Sequence, residues 1–520
     1  MKTDVCMITE GSYPFVVGGV STWVHDLLSS LSDISFSLVH IGVSRELTDK
    51  PLYELPKNVL EFKQVHLMEA VGLQGPKFGR RRAAWRELEA FIQDLAKGDL
   101  SGVDSMLRRF APDQPGTLTP YDIFHGKEFW NILLRIYTEH FNHFSFIDFF
   151  WTLRFMALPL FKILYADIPE ASLYHATCTG YAGLLGVVAG QRTRSPLMIT
   201  EHGIYTNERM IEITQAQWIY RERPQSAVPT KQVGALQSLW MRKFEVLSKI
   251  AYDHAASILT LYEGNRAMQI QGGAPRDKTG IIPNGIDLER FDRLAIERTD
   301  VRRNEPLVVL VGRVTPIKDV KTFIRASKIV AEQMPEARFM VLGTRDEDEN
   351  YYEECDRLVK VLSLQDRFKF PGSVDMGDYY PRLACMVLTS ISEAQPFVLL
   401  EAMRVGVPVV STTVGACAEM LNGVGPEDEA LGPAGLITNI RSPKETAEAI
   451  LAILKDPDKA RAMGEAGRER VGRYYVRSQM LDAYHEAYRQ YCGGRPSGGE
   501  KMSAAWPSDE DTSDQMEGVL

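Results

Sequence analysis

Cysteine is scarce in this sequence and carries no pattern. Cys6, Cys178, Cys355, Cys385, Cys417 and Cys492 are scattered through the 520 residues, with neither metal-site spacing nor a paired framework. Zinc ribbons and disulfide scaffolds are thereby excluded, and free thiols in a reducing compartment are expected. Positive charge is also in deficit. A net charge of -9 and a pI near 5.7 disfavour a general nucleic-acid role, which needs a basic face. Long apolar runs are missing too. The aromatic stretch 144–168 is broken by Asp148, Arg154, Pro159 and Lys162, and charges at mid-span are expensive, so no transmembrane helix is expected there. Asp4 sits inside what would be the apolar core of a signal peptide, so the N-terminus reads as a first strand and the protein as cytoplasmic. No Gly-x-Gly-x-x-Gly follows that strand, which argues against a nicotinamide-dependent dehydrogenase.

What is present is ordinary globular material, 45% hydrophobic and 24% charged, in a chain too long for one domain. The most informative stretch runs from Cys385 to Ser411. Cys385-Met386-Val387-Leu388-Thr389-Ser390-Ile391 reads as a buried strand and Ser392-Glu393-Ala394-Gln395 as a loop. Pro396 falls at the first helical position, and Val407-Pro408-Val409-Val410-Ser411 is the next strand. That is one crossover of a parallel sheet, with its loop at the strand's carboxyl end, where such sheets bind ligands. Proline at a helix start leaves the amides of Phe397 and Val398 at the positive end of the helix dipole, which suits a phosphate. Glu393 on the loop and Glu401 inside the helix can face one ligand. An acid before a helix is also a common cap. The first crossover of this half has the strand Leu307–Val311 and the loop Gly312–Asp319, in which Arg313 and Lys318 can flank a diphosphate as a fork and a point charge. A merely solvated charged loop is the competing reading. Further strands are expected at Arg338–Gly343 and Phe368–Val374, and no acidic metal-ligand cluster accompanies the Glu393 loop.

The first half repeats the pattern. Val5–Thr9 is a strand, the loop after it contains Gly18-Gly19, and a helix follows from Ser21. Glycine there allows close backbone approach to an anion or sugar, or simply makes a turn. Further strands are expected at Leu38–Val43, Leu173–Ala176, Pro196–Thr200 and Ala255–Thr260. His202 follows the third of these, at the face where ligands bind. Residues from about 70 to 170 read as a helical insertion, in which Arg80-Arg81-Arg82 starts a helix through Leu95. Its aromatic stripes suggest packing on its own sheet, with docking on a partner at a membrane face as the alternative. The expected division is a Rossmann-like domain at 1–295, a second at 296–470, a helix at 471–492 packing back on the first, and a disordered tail at 493–520.

Gly18-Gly19, Gly312-Arg313 with Lys318, Phe370-Pro371-Gly372-Ser373-Val374, Ser392-Glu393 with Glu401, and Gly406-Val407-Pro408-Val409-Val410 occur in the order found in retaining glycosyltransferases of family 4. The chain resembles that family over nearly its whole length, and within it the glycosyltransferases of Pel exopolysaccharide synthesis. The resemblance implies an α/β fold of GT-B architecture, two Rossmann-like domains facing each other across a cleft. It implies transfer from a UDP-sugar to a growing polysaccharide without metal or cofactor. The expected setting is the cytoplasm, beside inner-membrane polysaccharide synthase components and without nucleic acid. Arg313 and Lys318 would hold the diphosphate and Glu401 the ribose. Glu393 would contact the sugar hydroxyls, and Val374 would lie beside the uracil through its backbone. Gly18 and Gly19 would approach the phosphates, and His202 would sit near the reacting carbon. Glu393, His202 and Glu401 are thus the expected catalytic residues. Ala394-Gln395-Pro396 departs from the family's Gly-Phe-Gly loop, and Ala416 and Ala418 replace a Gly and a Pro. A UDP-sugar epimerase of the same fold and a non-catalytic UDP-binding scaffold are the rival readings.

Overall fold

In this computed structural model, the described residues are 2–47, 50–69, 82–97, 99–110, 118–215, 235–298 and 305–492. They form two compact units. The first holds the described residues within 2–260, 266–280 and 485–492; the second holds 261–265 and those within 281–484.

The first unit is built on a seven-stranded sheet. Its strands are β1 (Thr3–Glu10), β2 (Phe36–Gly42), β3 (Val59–His66), β4 (Ala171–Ala176), β5 (Leu197–Glu201), β6 (Ser257–Thr260) and β7 (Thr279–Ile281). They run in the order β3-β2-β1-β4-β5-β6-β7, and the pairs from β3 to β6 are parallel. Val5, Cys6, Met7 and Ile8 are fully buried, as a strand covered on both faces requires. β3 has no such apolar run and pairs only with β2 at the sheet's edge, which is why its sequence gives little sign of it.

The second unit repeats the winding with six strands. These are β8 (Leu307–Val311), β9 (Arg338–Leu342), β10 (Phe368–Gly372), β11 (Leu383–Leu388), β12 (Val409–Thr412) and β13 (Gly435–Thr438). The order is β10-β9-β8-β11-β12-β13, and every pair is parallel. β13 is a short addition to the expected strands. In both sheets the order reverses beside the first strand, and that switch point opens a crevice at the carboxyl edge. The expected fold class, α/β with two Rossmann-like domains, is the one found.

The division between units differs from the expected 1–295 and 296–470. Residues 281–297 belong with the second sheet, because Phe291 is buried in that unit's core beside Tyr380 and Leu400. The last helix, Arg477–Cys492, is shared: its first half counts with the second unit and its end with the first. That end is held by Tyr488, whose hydroxyl lies 2.7 Å from His175 Nδ1, and by His485 Nε2, 2.8 Å from Asp33. The expected tail at 493–520 lies outside the described residues, as do 70–81 and 111–117 of the insertion.

The insertion is helical where described, with helices Arg82–Lys97, Val103–Arg109, Pro120–His125, Lys127–Ile136 and Phe146–Leu164. Phe144 and Ile163 enter the main core of the first unit, while Leu88, Phe110, Ile123 and Phe161 form a small core of their own. Ile147, Trp151 and Phe155 leave an exposed stripe. Among the described residues no helix is long and apolar enough to cross a membrane.

The second unit is fastened by Arg470, which is fully buried. Its Nε donates to Asp428 Oδ1 at 2.6 Å, and its terminal nitrogens donate to the carbonyls of Leu421, Asn422, Asp428 and Gly432. A buried charge is tolerated only with such complete partnering. Arg470→Ala strands Asp428 in the core and should cost about 3–5 kcal/mol; urea denaturation of the purified variant measures it.

Candidate donor site and its relatives

The loops after β8 and β11 flank the switch point of the second sheet. The β8 loop tightens into a turn at Pro316–Lys318, and Asp319 (φ 45°) starts the helix Val320–Gln333. The β11 loop leads to the helix Phe397–Val405, closed by Gly406 in the left-handed conformation (φ 81°). The two loops are sewn together. Ile391 N donates to Ile317 O at 2.8 Å, and Thr389 Oγ1 donates to the carbonyls of Lys318 and Asp319 at 3.0 Å. On the far side, Ala416 N donates to Ala394 O at 2.7 Å. Gly415 (φ 53°) is required there, since a Cβ would fall 2.3 Å from the carbonyl oxygens of Glu393 and Ala394.

This scaffold brings Lys318 and Glu393 together. Lys318 Nζ lies 2.5 Å from Glu393 Oε1, and the side chains are only 16% and 13% exposed. Ser390 Oγ donates to the same oxygen at 2.5 Å. Arg313 is not part of this group: its Nη1 pairs with Glu347 Oε1 at 2.5 Å, with both side chains 48% exposed. Glu401 is half-buried and accepts from the hydroxyl of buried Tyr380 at 2.6 Å. Burial pushes its carboxyl upward, opposed by the Tyr380 bond and by the charge of Arg290. Val374 lies on the loop after β10, half-buried against the core. Pro396 is the residue before the helix, with extended backbone (φ -73°, ψ 121°), and not its first residue as expected. Its side chain caps nothing, and the amides of Phe397 and Val398 still open the helix without helical partners. Ser390 and Tyr380 escaped the sequence reading, because only the fold places them beside the two glutamates. Thr315, in the loop between Arg313 and Lys318, has a buried hydroxyl with no hydrogen-bond partner among the described residues.

In the first unit, Gly18 precedes the helix Gly19–Ser30, and both glycines are exposed at the carboxyl end of β1. A Cβ on Gly18 would meet nothing within 4 Å, so internal packing does not demand glycine there. His202 directly follows β5 and is buried, with its ring 4.7 Å from that of Trp23 in an edge arrangement. Burial pushes its pKa down to about 4. Its neighbour Glu201 is also buried, and accepts from Tyr252 (2.5 Å), Gln269 (3.0 Å), Thr179 (3.0 Å) and Tyr205 N (3.3 Å). Burial raises its carboxyl against those four donors. Glu10, at the end of β1, accepts from Tyr205 OH (2.6 Å), Ala182 N (3.1 Å) and Cys178 Sγ (3.3 Å). Among the described residues no group of three or more His, Cys, Asp or Glu could hold a metal ion.

Residues 3–277 match the family described as Domain of unknown function (DUF3492), and residues 293–470 match Glycosyl transferases group 1. The chain belongs to the DUF3492 family and carries a group 1 glycosyl transferase domain. The Lys318–Glu393 group lies inside that domain. Among curated proteins, the D-inositol 3-phosphate glycosyltransferase of Kribbella flavida is 26% identical over 319 residues, covering 58% of this chain and 68% of that one. Others are matched over about half their length, and one from Mycobacterium tuberculosis is named as GDP-mannose-dependent. Among solved structures, sucrose-phosphate synthase from Thermosynechococcus elongatus aligns with TM-score 0.57 at 18% identity, over 94% of this chain and all of that one. Anabaena HepE in complex with UDP aligns with TM-score 0.56 at 14% identity, over 94% and 99%. These two likenesses show the fold alone, that of the GT-B glycosyltransferases.

The His202 environment has a pH signature. An unfolded histidine titrates near about 6.5, while the folded one titrates at about 4. Between these values the unfolded state binds the extra proton, so the folded state loses stability as pH falls through that window. His202→Asn should therefore be less stable than wild type at pH 7, with the difference shrinking toward pH 4; paired thermal melts across that range check it.

Proposed function

We propose that this protein is a retaining glycosyltransferase. It moves a sugar from a UDP-sugar to a growing polysaccharide in the cytoplasm, as the resemblance to the Pel enzyme PelF suggests. The observation that carries this reading is the Lys318–Glu393–Ser390 group at the switch point of the second sheet, inside the group 1 domain. A partly buried ammonium and carboxylate that satisfy each other are replaced most readily by a ligand that offers both an anion and hydroxyl donors. A sugar diphosphate offers both.

In this reading Lys318 takes the diphosphate, with Arg313 exchanging Glu347 for it and the Phe397 and Val398 amides adding donors. Glu393 then accepts from sugar hydroxyls. Glu401 takes the ribose and the Val374 backbone meets the base. The bond from the anomeric carbon to the phosphate oxygen breaks, and a bond to an acceptor hydroxyl oxygen forms on the same face. The acceptor proton passes to the departing phosphate oxygen, leaving UDP and the extended glycan. Negative charge grows on that phosphate, where positioned cations and amides stabilise the transition state by several kcal/mol. The reaction calls for no metal or cofactor. Inner-membrane synthase components are the partners this reading implies.

UDP at a hundredfold excess over its dissociation constant should stabilise the protein by about 2.7 kcal/mol, and GDP by much less. Lys318→Ala and Glu393→Gln should stay folded and lose turnover on the order of a hundredfold or more. Calorimetric titration and an acceptor assay provide the measurements. No response to UDP, or undiminished turnover in either variant, refutes the assignment. A new UDP-sugar formed without acceptor would mark an epimerase, and UDP binding with no turnover a scaffold.

A further inference from the structure

The chain passes between the units after Thr260, Asn265, Gly280 and Tyr484. Two short stretches of the second unit, 261–265 and the residues from Ile281, therefore carry three of these passages. One side chain reaches both stretches, and it belongs to the loop that holds Glu393. Gln395 is 5% exposed. Its Oε1 accepts from Asn284 N at 2.6 Å, its Nε2 donates to Leu261 O at 3.4 Å, and its carbonyl accepts from Asn284 Nδ2 at 3.2 Å. From the short helix Cys417–Asn422, Glu419 accepts from the backbone N–H of Gly264 and Glu263.

The arrangement is not what stability alone would select. Asn284 is 1% exposed, and its Oδ1 has no hydrogen-bond partner among the described residues. A buried acceptor left unmet costs about 1–3 kcal/mol. Its amide cannot simply turn over, because Nδ2 is committed to the Gln395 carbonyl. An apolar pair of the same shape would avoid that cost. What the polar pair adds is direction: it fixes the loop two residues from Glu393 to the segments that join the units.

We propose that Gln395 is a positioning residue, which sets the place of Glu393 according to the place of the 261–265 and 281–286 segments. The proposal rests on the donor-binding reading of Glu393. Lys318 and Ser390 hold the carboxylate from one side, Gly415 and Ala416 hold the backbone at Ala394, and Gln395 supplies the tie to the joining segments. A shift in those segments pulls on the loop through the Asn284 bonds, so the Lys318–Glu393 geometry is coupled to them. The helix amides of Phe397 and Val398 lie beyond Pro396 and are anchored separately by Leu399 and Leu400 in the core. Diphosphate affinity is therefore less affected than the chemical step.

The test uses the full-length protein and the variants Gln395→Met and Asn284→Ala. In the ligand-free protein, Gln395→Met should speed amide hydrogen exchange at Asn284 and across 391–394, with β8, β11 and β12 as protected as in wild type. With UDP-sugar and acceptor, kcat should fall about tenfold or more, while the Kd for UDP changes by no more than about twofold. Asn284→Ala should lower kcat as well, and the double variant should lose less than the product of the two losses. Unchanged exchange at 391–394, an unchanged kcat, losses that multiply, or a Kd that worsens in step with kcat each overturn the proposal. If wild type does not bind UDP, the functional reading fails on its own, and the exchange data alone decide whether Gln395 couples the loop to the joining segments.

Discussion

An ammonium and a carboxylate 2.5 Å apart, with side chains 16% and 13% exposed, set the terms for the second unit. Each ion taken from water alone would cost several kcal/mol, and their mutual attraction offsets this only with further hydrogen bonds. Ser390 supplies one of them. The loops that present the pair must be held just as firmly, because a pair that drifts apart leaves two half-buried charges without their partner. The Thr389 and Ile391 bonds to the β8 loop, the contact at Gly415 and the Gln395 bonds all restrict that drift.

Much of this architecture was legible in the sequence. The apolar runs at Val5, Leu307 and Cys385 predicted buried parallel strands, because a strand covered on both faces has no polar alternation to blur it. The loops carrying Lys318 and Glu393 could be placed at the carboxyl edge for the same reason. β3 was missed because an edge strand needs less apolar character, and β13 because Gly435–Thr438 is short. The boundary near 295 was misplaced because charge marks exposed chain, whereas the deciding contact is Phe291 packing into the second core.

The site was legible at the level of residue type and less so at the level of partners. Lys318 and Glu393 were named from their loops, yet their mutual contact depends on two strands, separated in sequence by residues 312–382, lying side by side. The tie from Glu401 to Tyr380 and the surface pairing of Arg313 with Glu347 depend on the same kind of long-range placement. Pro396 stands one position earlier than expected, because its ψ of 121° is extended and the helical turn begins only at Phe397.

Both sheets share one winding, with the order reversing beside the first strand in each. Each unit therefore owns a crevice assembled from its own loops, and neither borrows strands from the other. Substitutions confined to the loops of one sheet therefore leave the strand order of the other untouched, and each half of the chain can vary around its own switch point.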